Sequence, residues 1–272
     1  MTGERRATHV IVGGGPAGVT AVETIRHFDP DGASVLLVAG EPPYARMVLP
    51  YYLAGDVDEE RLYSGDAAYF RQRGVDVLFG RRAVALEPQR QRLLLDDGTT
   101  VRYQRLLIAT GASPLLPPVA GIGQKGVLPM WALADARSFL SRVSAGGRVA
   151  VMGAGFIGLI LLNALHRRGL RVTYVEREAQ ILPRMLDAQG ASLVQRWLER
   201  KGVEVITGAT VTAIAAVGHR KRLILGSGKA SMVDVVIVAT GVRPNTDFLA
   251  GSGVAIDQGV LVDQYMRTSV SH

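Results

Sequence analysis

Two glycine-rich segments are the clearest chemical signals in the sequence. The first reads GGGPAG from Gly13 to Gly18 and the second reads GAGFIG from Gly153 to Gly158. Glycine at the first, third and sixth positions allows, in turn, a tight bend, close approach of backbone to a pyrophosphate, and close packing of a helix on a sheet. A following helix N-terminus supplies unpaired N–H groups to phosphates. The pattern therefore predicts two dinucleotide-binding turns.

Each glycine segment lies between two apolar runs, as a strand, turn, helix, strand unit requires. The predicted elements are strand Thr8–Val12, a helix to about Phe28 and strand Val35–Ala39, then strand Arg148–Met152, a helix to about Arg168 and strand Arg171–Glu176. The two glycine segments are 140 residues apart. This repetition predicts two homologous βαβ units with parallel sheets.

The remainder of each half also repeats. Predicted hairpin strands are Arg92–Leu95 with Thr99–Tyr103, and Arg222–Leu225 with Ala230–Val233; each half then closes on a strand ending in ATG, at Leu106–Gly111 and Val235–Gly241. The predicted fold class is α/β, with two Rossmann-like, doubly wound, three-layer nucleotide-binding domains, the second inserted in the first. The predicted domains are 1–120 plus 246–272, and 121–245.

An acidic residue near the end of the second strand of such a unit can accept a hydrogen bond from a ribose hydroxyl. Glu176 lies 23 residues after Gly153 and favours NAD over NADP. Arg177 and Arg184 follow closely and could receive a 2′-phosphate, so NADP stays open. In the first half the corresponding acid is Glu41, 28 residues after Gly13.

These motifs, with the phrases LLIATGASP and VATGVRPNTDFLAGSG, resemble the FAD- and NAD(P)H-dependent pyridine nucleotide-disulfide oxidoreductase superfamily over essentially the whole chain. The resemblance implies that the first domain binds FAD, that the second binds NAD(P)H, and that the nicotinamide passes a hydride to the flavin. The cofactor-binding residues assigned by the motifs and the resemblance are Gly13, Gly15, Pro16, Ala17, Gly18, Glu41, Arg46, Ala83, Ala109, Thr110 and Gly111 in the first domain, and Gly153, Gly155, Phe156, Ile157, Gly158, Glu176 and Gly241 for the second.

The segment Tyr44–Gly55 resembles two branches of the superfamily. Its LPYYLAG end is similar to the coenzyme A disulfide reductase and NADH oxidase branch, in which a redox cysteine stands where this chain has Met47. A thioether forms no thiolate, so cysteine relay chemistry is excluded for this chain. The Tyr44-Ala45-Arg46 start is similar to the rubredoxin, ferredoxin and nitrite reductase branch, which implies that Arg46 lies beside FAD and that an acidic electron-transfer protein is the partner.

Composition narrows the remaining function classes. The chain has no cysteine, a formal net charge of +7, and 31 Lys and Arg residues spread along it without interleaved aromatic residues. A nucleic-acid binder is therefore disfavoured, and no run is long enough to span a membrane, so a cytoplasmic protein is expected. The five histidines show no metal-ligand spacing, and no metal site is predicted. Oligomeric state is not assigned.

Three functions remain open from the sequence. The favoured one is an FAD-dependent reductase that takes hydride from NADH and reduces a protein redox partner or another acceptor. The alternatives are a flavin oxidase that reduces O₂, and a truncated cofactor-binding module with little turnover. The superfamily continues beyond residues matching Val260–Ser269 with a strand and a glycine-aspartate turn that holds the FAD ribityl chain. We therefore expect a fragment of a longer enzyme with weakened FAD affinity.

Overall fold

The computed structural model describes residues 3–271, and Met1, Thr2 and His272 lie outside the described residues. The chain divides into two compact units. The first contains Met1–Ala45, Glu60–Ser113 and Arg243–His272, and the second contains Arg46–Glu59 and Pro114–Val242. None of the helices formed by residues 3–271 combines the length and the apolar character that crossing a membrane demands.

The strands are β1 (Glu4–Val12), β2 (Val35–Ala39), β3 (Val75–Phe79), β4 (Ala83–Glu87), β5 (Arg92–Leu95), β6 (Thr100–Ile108), β7 (Ala112–Pro114), β8 (Val127–Leu128), β9 (Arg148–Met152), β10 (Arg171–Val175), β11 (Glu204–Ile206), β12 (Val211–Val217), β13 (Arg220–Leu225), β14 (Ala230–Val233), β15 (Val235–Val238) and β16 (Val242–Pro244). The α-helices are α1 (Pro16–Phe28), α2 (Leu49–Ala54), α3 (Ala67–Gln72), α4 (Leu133–Leu140), α5 (Phe156–Ile160), α6 (Leu162–Arg167) and α7 (Ala188–Arg200). Short 3₁₀ turns cover Arg46–Val48, Glu59–Leu62, Pro88–Arg90 and Asp247–Leu249.

The first unit is built on a six-stranded sheet in the order β3-β2-β1-β6-β5-β4. β3, β2, β1 and β6 run parallel, and β5 and β4 add an antiparallel extension. β2, with the sequence VLLVA, is apolar and buried along its whole length, as a strand covered on both faces requires. Ile11 and Leu37 are buried on the face that carries α1, together with Val22 of that helix and Phe70 of α3. Burying each such side chain contributes about 1.5 to 3 kcal/mol.

The second unit contains a five-stranded parallel sheet in the order β11-β10-β9-β15-β8 and a three-stranded antiparallel sheet in the order β12-β13-β14. β9 lies at the centre of the parallel sheet, between β10 and β15. The antiparallel sheet packs its apolar face on the parallel sheet, and Leu223 and Leu225 are buried with Ala150 and Val236. The mixed α/β class with parallel sheets is the class that the sequence predicts.

Two predicted elements differ from the structure. The predicted strands Thr99–Tyr103 and Leu106–Gly111 form one strand, β6, because β1 pairs with it almost continuously from Glu4 to Val12. In the second unit the matching segment is divided into β14 and β15 at Asp234. The predicted helix to about Arg168 is also interrupted, at Leu161, so that α5 and α6 are separate helices.

The segment Arg46–Glu59 belongs to the second unit, where polar contacts hold it. Glu59 accepts hydrogen bonds from the Tyr52 hydroxyl at 2.9 Å and from Nε of Arg137 at 3.0 Å. Arg137 is the main cause that lowers the pKa of Glu59 below its usual value, and the bond from Tyr52 lowers that pKa further. Arg167 also forms an ion pair with Asp56 at 2.5 Å. Local sequence carries no signal for the two arginine contacts, because Arg137 and Arg167 lie about 80 and 110 residues from their acidic partners.

Candidate functional site

The turn after β1 is closed by contacts that only glycine allows. Gly13 has a φ of +121°, and a Cβ at this position would lie 2.0 Å from the carbonyl oxygen of Ala109. A Cβ on Gly18 would lie 1.9 Å from the carbonyl oxygen of Gly13. Both distances are far shorter than van der Waals contact. The first and last glycines therefore set the close packing of helix, turn and strand.

The middle glycine of the same turn faces open space. Gly15 is the N-cap of α1, no side chain caps the helix there, and a Cβ on Gly15 would meet nothing within 4 Å. Pro16 and Ala17, the first residues of the helix, are exposed. The first N–H groups of a helix have no acceptor within the helix and carry its partial positive charge. This helix end can therefore receive an anionic group such as a phosphate.

The chain after β6 bends beside this turn and is fixed by Asn245. Thr110 donates its hydroxyl to the carbonyl oxygen of Asn245 at 2.8 Å, and the Asn245 side-chain amide donates to the Thr110 carbonyl oxygen at 2.8 Å. The Asn245 backbone N–H donates to the carbonyl oxygen of Gly111 at 2.9 Å. Ser113 donates its hydroxyl to Oδ1 of Asn245 at 2.7 Å. Four hydrogen bonds thus hold the bend, where Gly111 has a φ of +64°.

The second unit repeats the glycine contacts. Gly153 has a φ of +99°, and a Cβ there would lie 2.5 Å from the carbonyl oxygen of Ala239. A Cβ on Gly158 would lie 2.4 Å from the carbonyl oxygen of Gly153, whereas a Cβ on Gly155 would meet nothing within 4 Å. Gly155 is the N-cap of α5, again without a side-chain cap. Both turns therefore offer a backbone approach at their middle glycine.

Glu176 is the chief polar residue of the second turn. Its side chain is buried, with 8% of the residue exposed. Oε2 accepts the backbone N–H of Ala154 at 2.7 Å, and Oε1 accepts that of Glu178 at 3.0 Å. The carboxylate thus ties the glycine turn to the end of β10, while each oxygen keeps further acceptor capacity.

Tyr174, in β10, holds the end of the same turn through a hydrogen bond. Its hydroxyl donates to the carbonyl oxygen of Gly158 at 2.8 Å, and the side chain is fully buried. Burial raises the pKa of Tyr174 far above its usual value, so the phenol stays protonated as a donor. The helix is interrupted at Leu161, three residues after the carbonyl that Tyr174 engages. At the start of α5, Phe156 is exposed and Ile157 is half-buried.

The end of β15 is also bent by glycine. Gly241 has a φ of +122°, and its carbonyl oxygen accepts the backbone N–H of Leu115 at 2.9 Å. Thr240 donates its hydroxyl to the Leu115 carbonyl oxygen at 2.7 Å. The Ala-Thr-Gly sequence therefore ends a central strand beside a glycine turn in each unit, but different residues hold the two bends.

Two further residues assigned to cofactor binding in the first domain, Glu41 and Ala83, lie in different surroundings. Glu41 is exposed, and its carbonyl oxygen would be 3.5 Å from a Cβ on Gly14. Its backbone therefore lies beside the first turn. Ala83 begins β4, pairs with Leu95 and packs against the core of the first unit. No described side-chain contact links Ala83 to the glycine turn.

Arg46 and Met47 lie in the 3₁₀ turn that precedes α2, within the second unit. The Arg46 guanidinium carbon is 4.6 Å from the centre of the Trp131 ring, which is cation–π distance. Met47 is 84% exposed. The methionine at the position of the family cysteine is thus at the surface of its unit, and the neighbouring arginine has an aromatic partner.

Comparison with known families explains why these features occur together. The family model described as pyridine nucleotide-disulphide oxidoreductase matches residues 7–272. The chain belongs to the pyridine nucleotide-disulphide oxidoreductase family. This confirms the family resemblance that the glycine segments and the two ATG strands indicate.

Three curated relatives each align with nearly all of the chain. It is 32% identical over 265 residues to an NADH-dependent phenylglyoxylate dehydrogenase subunit epsilon of Aromatoleum evansii, covering 97% of this chain and 63% of the relative. It is 34% identical over 272 residues to an NADH oxidase of Methanocaldococcus jannaschii, covering 96% and 60%. It is 33% identical over 264 residues to the ferredoxin–NAD(+) reductase component of the anthranilate 1,2-dioxygenase system of Burkholderia cepacia, covering 96% and 64%. The chain thus spans about three fifths of the length of these relatives.

Solved structures agree with this relationship. An NAD-dependent persulfide reductase from A. fulgidus superposes with a TM-score of 0.91 at 34% identity, covering 97% of this chain and 51% of that protein. A water-forming NADH oxidase from Lactobacillus brevis, bound to NADH, gives a TM-score of 0.90 at 26% identity, covering 97% and 60%. Its engineered form, bound to NADPH, gives 0.89 at 26% identity, covering 96% and 60%.

Three residues that contribute to the site geometry are absent from the sequence-based assignments. Tyr174 lies within the predicted strand Arg171–Glu176 and Asn245 ends the predicted domain 121–245, but neither of them nor Trp131 is assigned a role there. The Arg-Pro-Asn phrase that follows the second ATG strand is a usable signal for Asn245, because an asparagine can brace a bend with its side chain. The contact of Arg46 with Trp131 has no local signal, since 85 residues separate the two.

Proposed function

We propose that this chain is the nucleotide-binding part of an FAD-dependent NAD(P)H oxidoreductase. The observation that carries the proposal is the pair of glycine turns, each with its middle glycine open at an uncapped helix N-terminus. The first unit would hold FAD, and the second, as an inserted domain, would hold NADH. The family match and the relatives named for NADH-dependent reactions support this proposal.

The residues of the first unit fit a dinucleotide. A Cβ on Gly15 would occupy space that backbone leaves empty in front of α1, and that space suits a pyrophosphate. Thr110 and Gly111 end the adjoining strand, and Asn245 holds them in place through its four hydrogen bonds. The exposed carboxylate of Glu41 lies near this turn and would accept ribose hydroxyls. Ala83 is proposed as a backbone contact.

The second unit fits NADH by the same argument. Gly155 would admit the pyrophosphate, while Phe156 and Ile157 supply the first helical N–H groups. Glu176 would bind the adenosine ribose with the acceptor capacity that remains after its bonds to Ala154 and Glu178. Gly241, at the bend after β15, would lie beside the nicotinamide end. The flavin and nicotinamide supply the hydride chemistry when bound, and the role of these residues is to bind and orient them.

The substitutions that accompany the change of a relative from NADH to NADPH support the assignment of NADH to this chain. These substitutions include a glycine, an aspartate eighteen residues later, and a proline seven residues after that. Glu176 follows Gly158 by eighteen residues, and Pro183 follows Glu176 by seven. An acid at this position repels a 2′-phosphate. Arg177 would favour one, but its guanidinium pairs with Glu178 at 2.9 Å.

The proposed acceptor is a one-electron protein carrier of the rubredoxin or ferredoxin type. Met47 provides no thiolate and the chain contains no cysteine, so no thiol of this chain can relay electrons. The relative from Burkholderia is named as a ferredoxin–NAD(+) reductase component. The net charge of +7 suits an acidic partner. An O₂-reducing oxidase is the second candidate, favoured by the 34% identity to an NADH oxidase.

Anaerobic titration of the FAD-loaded protein with NADH tests the proposal. We expect the flavin absorbance to bleach with one equivalent of NADH, and slow reoxidation in air to indicate a reductase. Fast reoxidation would favour the oxidase, and absence of flavin binding or of bleaching would refute the reductase proposal. Replacing NADH by NADPH should slow bleaching at least tenfold.

Two matched variants test whether NADH binds at the second glycine turn. Aspartate is a favourable N-cap, so Gly155→Asp should leave the unit folded while its carboxylate repels the pyrophosphate and weakens NADH binding at least tenfold. Gly123→Asp is the control, because a Cβ on Gly123 also meets nothing within 4 Å but lies away from the turn in sequence and carries no proposed role. Equal NADH affinity in the two variants would contradict the assignment of Gly155.

A further inference from the structure

A lysine occupies a core-facing position in the antiparallel sheet of the second unit. Along β13, Arg220 and Arg222 are exposed, whereas Lys221, Leu223 and Leu225 are buried. Lys221 is 6% exposed, and it lies between Ala216 of β12 and Val233 of β14 in the sheet register. The alternation of the strand thus directs an ammonium group to the side on which apolar residues pack. A lysine is tolerated on this side where its apolar stem is covered and its ammonium reaches solvent or a ligand.

No hydrogen bond or ion pair of the Lys221 ammonium is found within residues 3–271, and Nζ is not among the fully buried unpartnered polar atoms of these residues, so the tip of the side chain reaches the surface. The side chain runs across Gly126, where an added Cβ would lie 3.5 Å from Cε and 3.8 Å from Nζ of Lys221. Gly126 has a φ of +90° and leaves the end of the lysine uncovered. The ammonium group therefore has unused donors at this point.

Lys221 lines a cavity of about 180 Å³ together with three further basic side chains, Lys125, Arg142 and His219. Nε of Arg142 donates to the Ser138 hydroxyl at 3.3 Å, and its two terminal nitrogens have no partner in the described part of the chain. Neither Lys125 nor His219 has a described side-chain partner. Four basic residues thus converge on one cavity, with most of their donors unengaged.

Asp234, the single acidic residue in the cavity wall, already has two partners. Asp234 accepts the backbone N–H of Arg148 through Oδ2 at 2.8 Å and pairs through Oδ1 with Nε of Arg220 at 3.2 Å. Its carboxylate therefore joins the starts of β9 and β15 and a neighbouring exposed arginine. It does not form an ion pair with Lys221, and the cavity keeps an excess of positive charge.

The cavity lies away from the second glycine turn. Arg148 begins β9 and Asp234 immediately precedes β15, whereas Gly153 follows the other end of β9. Five residues of strand at about 3.3 Å each separate the two ends. A ligand in the cavity would therefore bind independently of the nucleotide proposed for the glycine turn.

We propose that this cavity binds a phosphate group, with Lys221 as the buried anchor and Arg142 and Lys125 as the outer donors. A doubly charged tetrahedral oxyanion suits several converging cationic N–H donors. The cavity has the volume of about six water molecules at roughly 30 Å³ each. That volume accommodates inorganic phosphate or the phosphate end of a small metabolite.

Binding can be measured on the full chain saturated with FAD and NAD⁺, which occupies the glycine turns. The probes are inorganic phosphate and glycerol 3-phosphate, at ionic strength held constant with chloride, and the readouts are titration calorimetry and the midpoint of thermal unfolding. We expect saturable binding of at least one probe with a rise in the unfolding midpoint. Tighter binding of glycerol 3-phosphate would indicate a phosphorylated metabolite, and equal or tighter binding of inorganic phosphate would indicate the free ion.

Lys221→Met removes the charge and keeps an unbranched side chain on the buried face, and it should weaken binding at least tenfold. Lys229→Met, in the exposed turn before β14, is the matched control and should bind as the wild type does. Arg142→Gln, at the rim, is a second variant that should weaken binding about threefold to tenfold even if Lys221→Met fails to fold. Absence of saturable binding, or wild-type affinity in Lys221→Met or Arg142→Gln, would overturn the proposal.

Discussion

The two glycine turns share their glycine contacts but are held by different chemistry. Register pairing of Val12 with Val38 and of Met152 with Val175 places Ala39 and Glu176 at equivalent strand ends. In the first turn the position after the first glycine is Gly14, and a Cβ there would lie 2.9 Å from Cβ of Ala39. In the second turn the same position is Ala154, whose N–H is bound by Glu176. A close approach of Gly14 to Ala39 in one unit is thus replaced by a bond to a buried carboxylate in the other.

The helices that follow the two turns, and the strand residues beside them, also differ: those of the first unit make apolar contacts and those of the second make polar ones. α1 is continuous for 13 residues, and the strand residue equivalent to Tyr174 is Leu37, a fully buried hydrocarbon. In the second unit Tyr174 binds the Gly158 carbonyl oxygen, and the helix is interrupted at Leu161. The second turn therefore depends on two buried polar side chains, while the first depends on shape alone. Substitutions that remove polar groups should therefore destabilise the second turn, and substitutions that change side-chain volume should destabilise the first.

The largest effects are expected from alanine at the first glycine of each turn. Gly13→Ala and Gly153→Ala combine backbone strain with a clash against a carbonyl oxygen, which together cost roughly 2 to 6 kcal/mol. The loss should be greater at Gly13, where the distance is 2.0 Å, than at Gly153, where it is 2.5 Å. Thermal and urea unfolding of each variant measures the difference.

The control substitutions are Gly15→Ala and Gly155→Ala, whose Cβ atoms meet open space. These should leave unfolding within about 1 kcal/mol of the wild type but weaken FAD and NADH binding, respectively. If Gly13→Ala and Gly15→Ala were equally stable, the close approach to Ala109 would be wrong.

The next effect concerns Glu176 alone. Glu176→Ala leaves the buried N–H of Ala154 without its acceptor, which costs about 1 to 3 kcal/mol. Glu176→Gln retains one acceptor oxygen and should lose about half as much, because its amide NH₂ cannot accept the second N–H. Both variants should weaken NADH binding while FAD content stays unchanged. A loss of FAD with unaltered NADH affinity would reverse the assignment of the two units.

The coupling between Gly14 and Ala39 should be smaller than these effects. Gly14→Ala creates the contact with Ala39 and should cost about 1 to 3 kcal/mol. Adding Ala39→Gly removes that contact, so the pair should show a coupling energy of about 1 kcal/mol in a double-mutant cycle of unfolding. Ala154→Gly serves as the comparison and should cost only about 0.5 to 1 kcal/mol. Strict additivity of Gly14→Ala and Ala39→Gly would show that the two residues do not touch.

Local sequence predicts the apolar framework of these turns and misses what is long-range or polar. Strands Val35–Ala39 and Arg148–Met152 have their predicted bounds, because each is an apolar run that ends at a turn residue. The joining of two predicted strands into β6 depends on pairing with β1, some 95 residues earlier.

The chemistry of the candidate site is only partly visible in the sequence. Spacing singles out Glu176 but cannot show that its carboxylate already binds the turn, since that bond depends on the bend of the backbone at Ala154. Tyr174 looks like any strand aromatic until its hydroxyl meets Gly158. The placement of Arg46–Glu59 in the second unit likewise depends on distant partners such as Arg137.

The smallest expected effect comes from Tyr174→Phe. This change removes one hydrogen bond to the Gly158 carbonyl oxygen and should cost about 0.5 to 1.5 kcal/mol near pH 7. Leu37→Met, at the equivalent position of the first unit, is the volume-conserving comparison and should cost less than about 1.5 kcal/mol with no dependence on pH.

The cost of Tyr174→Phe should change with pH in a defined direction. Burial raises the pKa of Tyr174 in the folded protein, whereas the unfolded chain releases this proton near the ordinary value of about 10. The phenol therefore contributes its full stability below that value, and above it the unfolded wild type gains stability by ionising. As pH rises past about 10 the wild type should lose stability faster than Tyr174→Phe, so the gap between them narrows and then reverses. Urea unfolding of both proteins between pH 7 and 11 measures the gap; a constant gap would mean that the Tyr174 hydroxyl is accessible to water in the folded protein and that its pKa is not raised by burial.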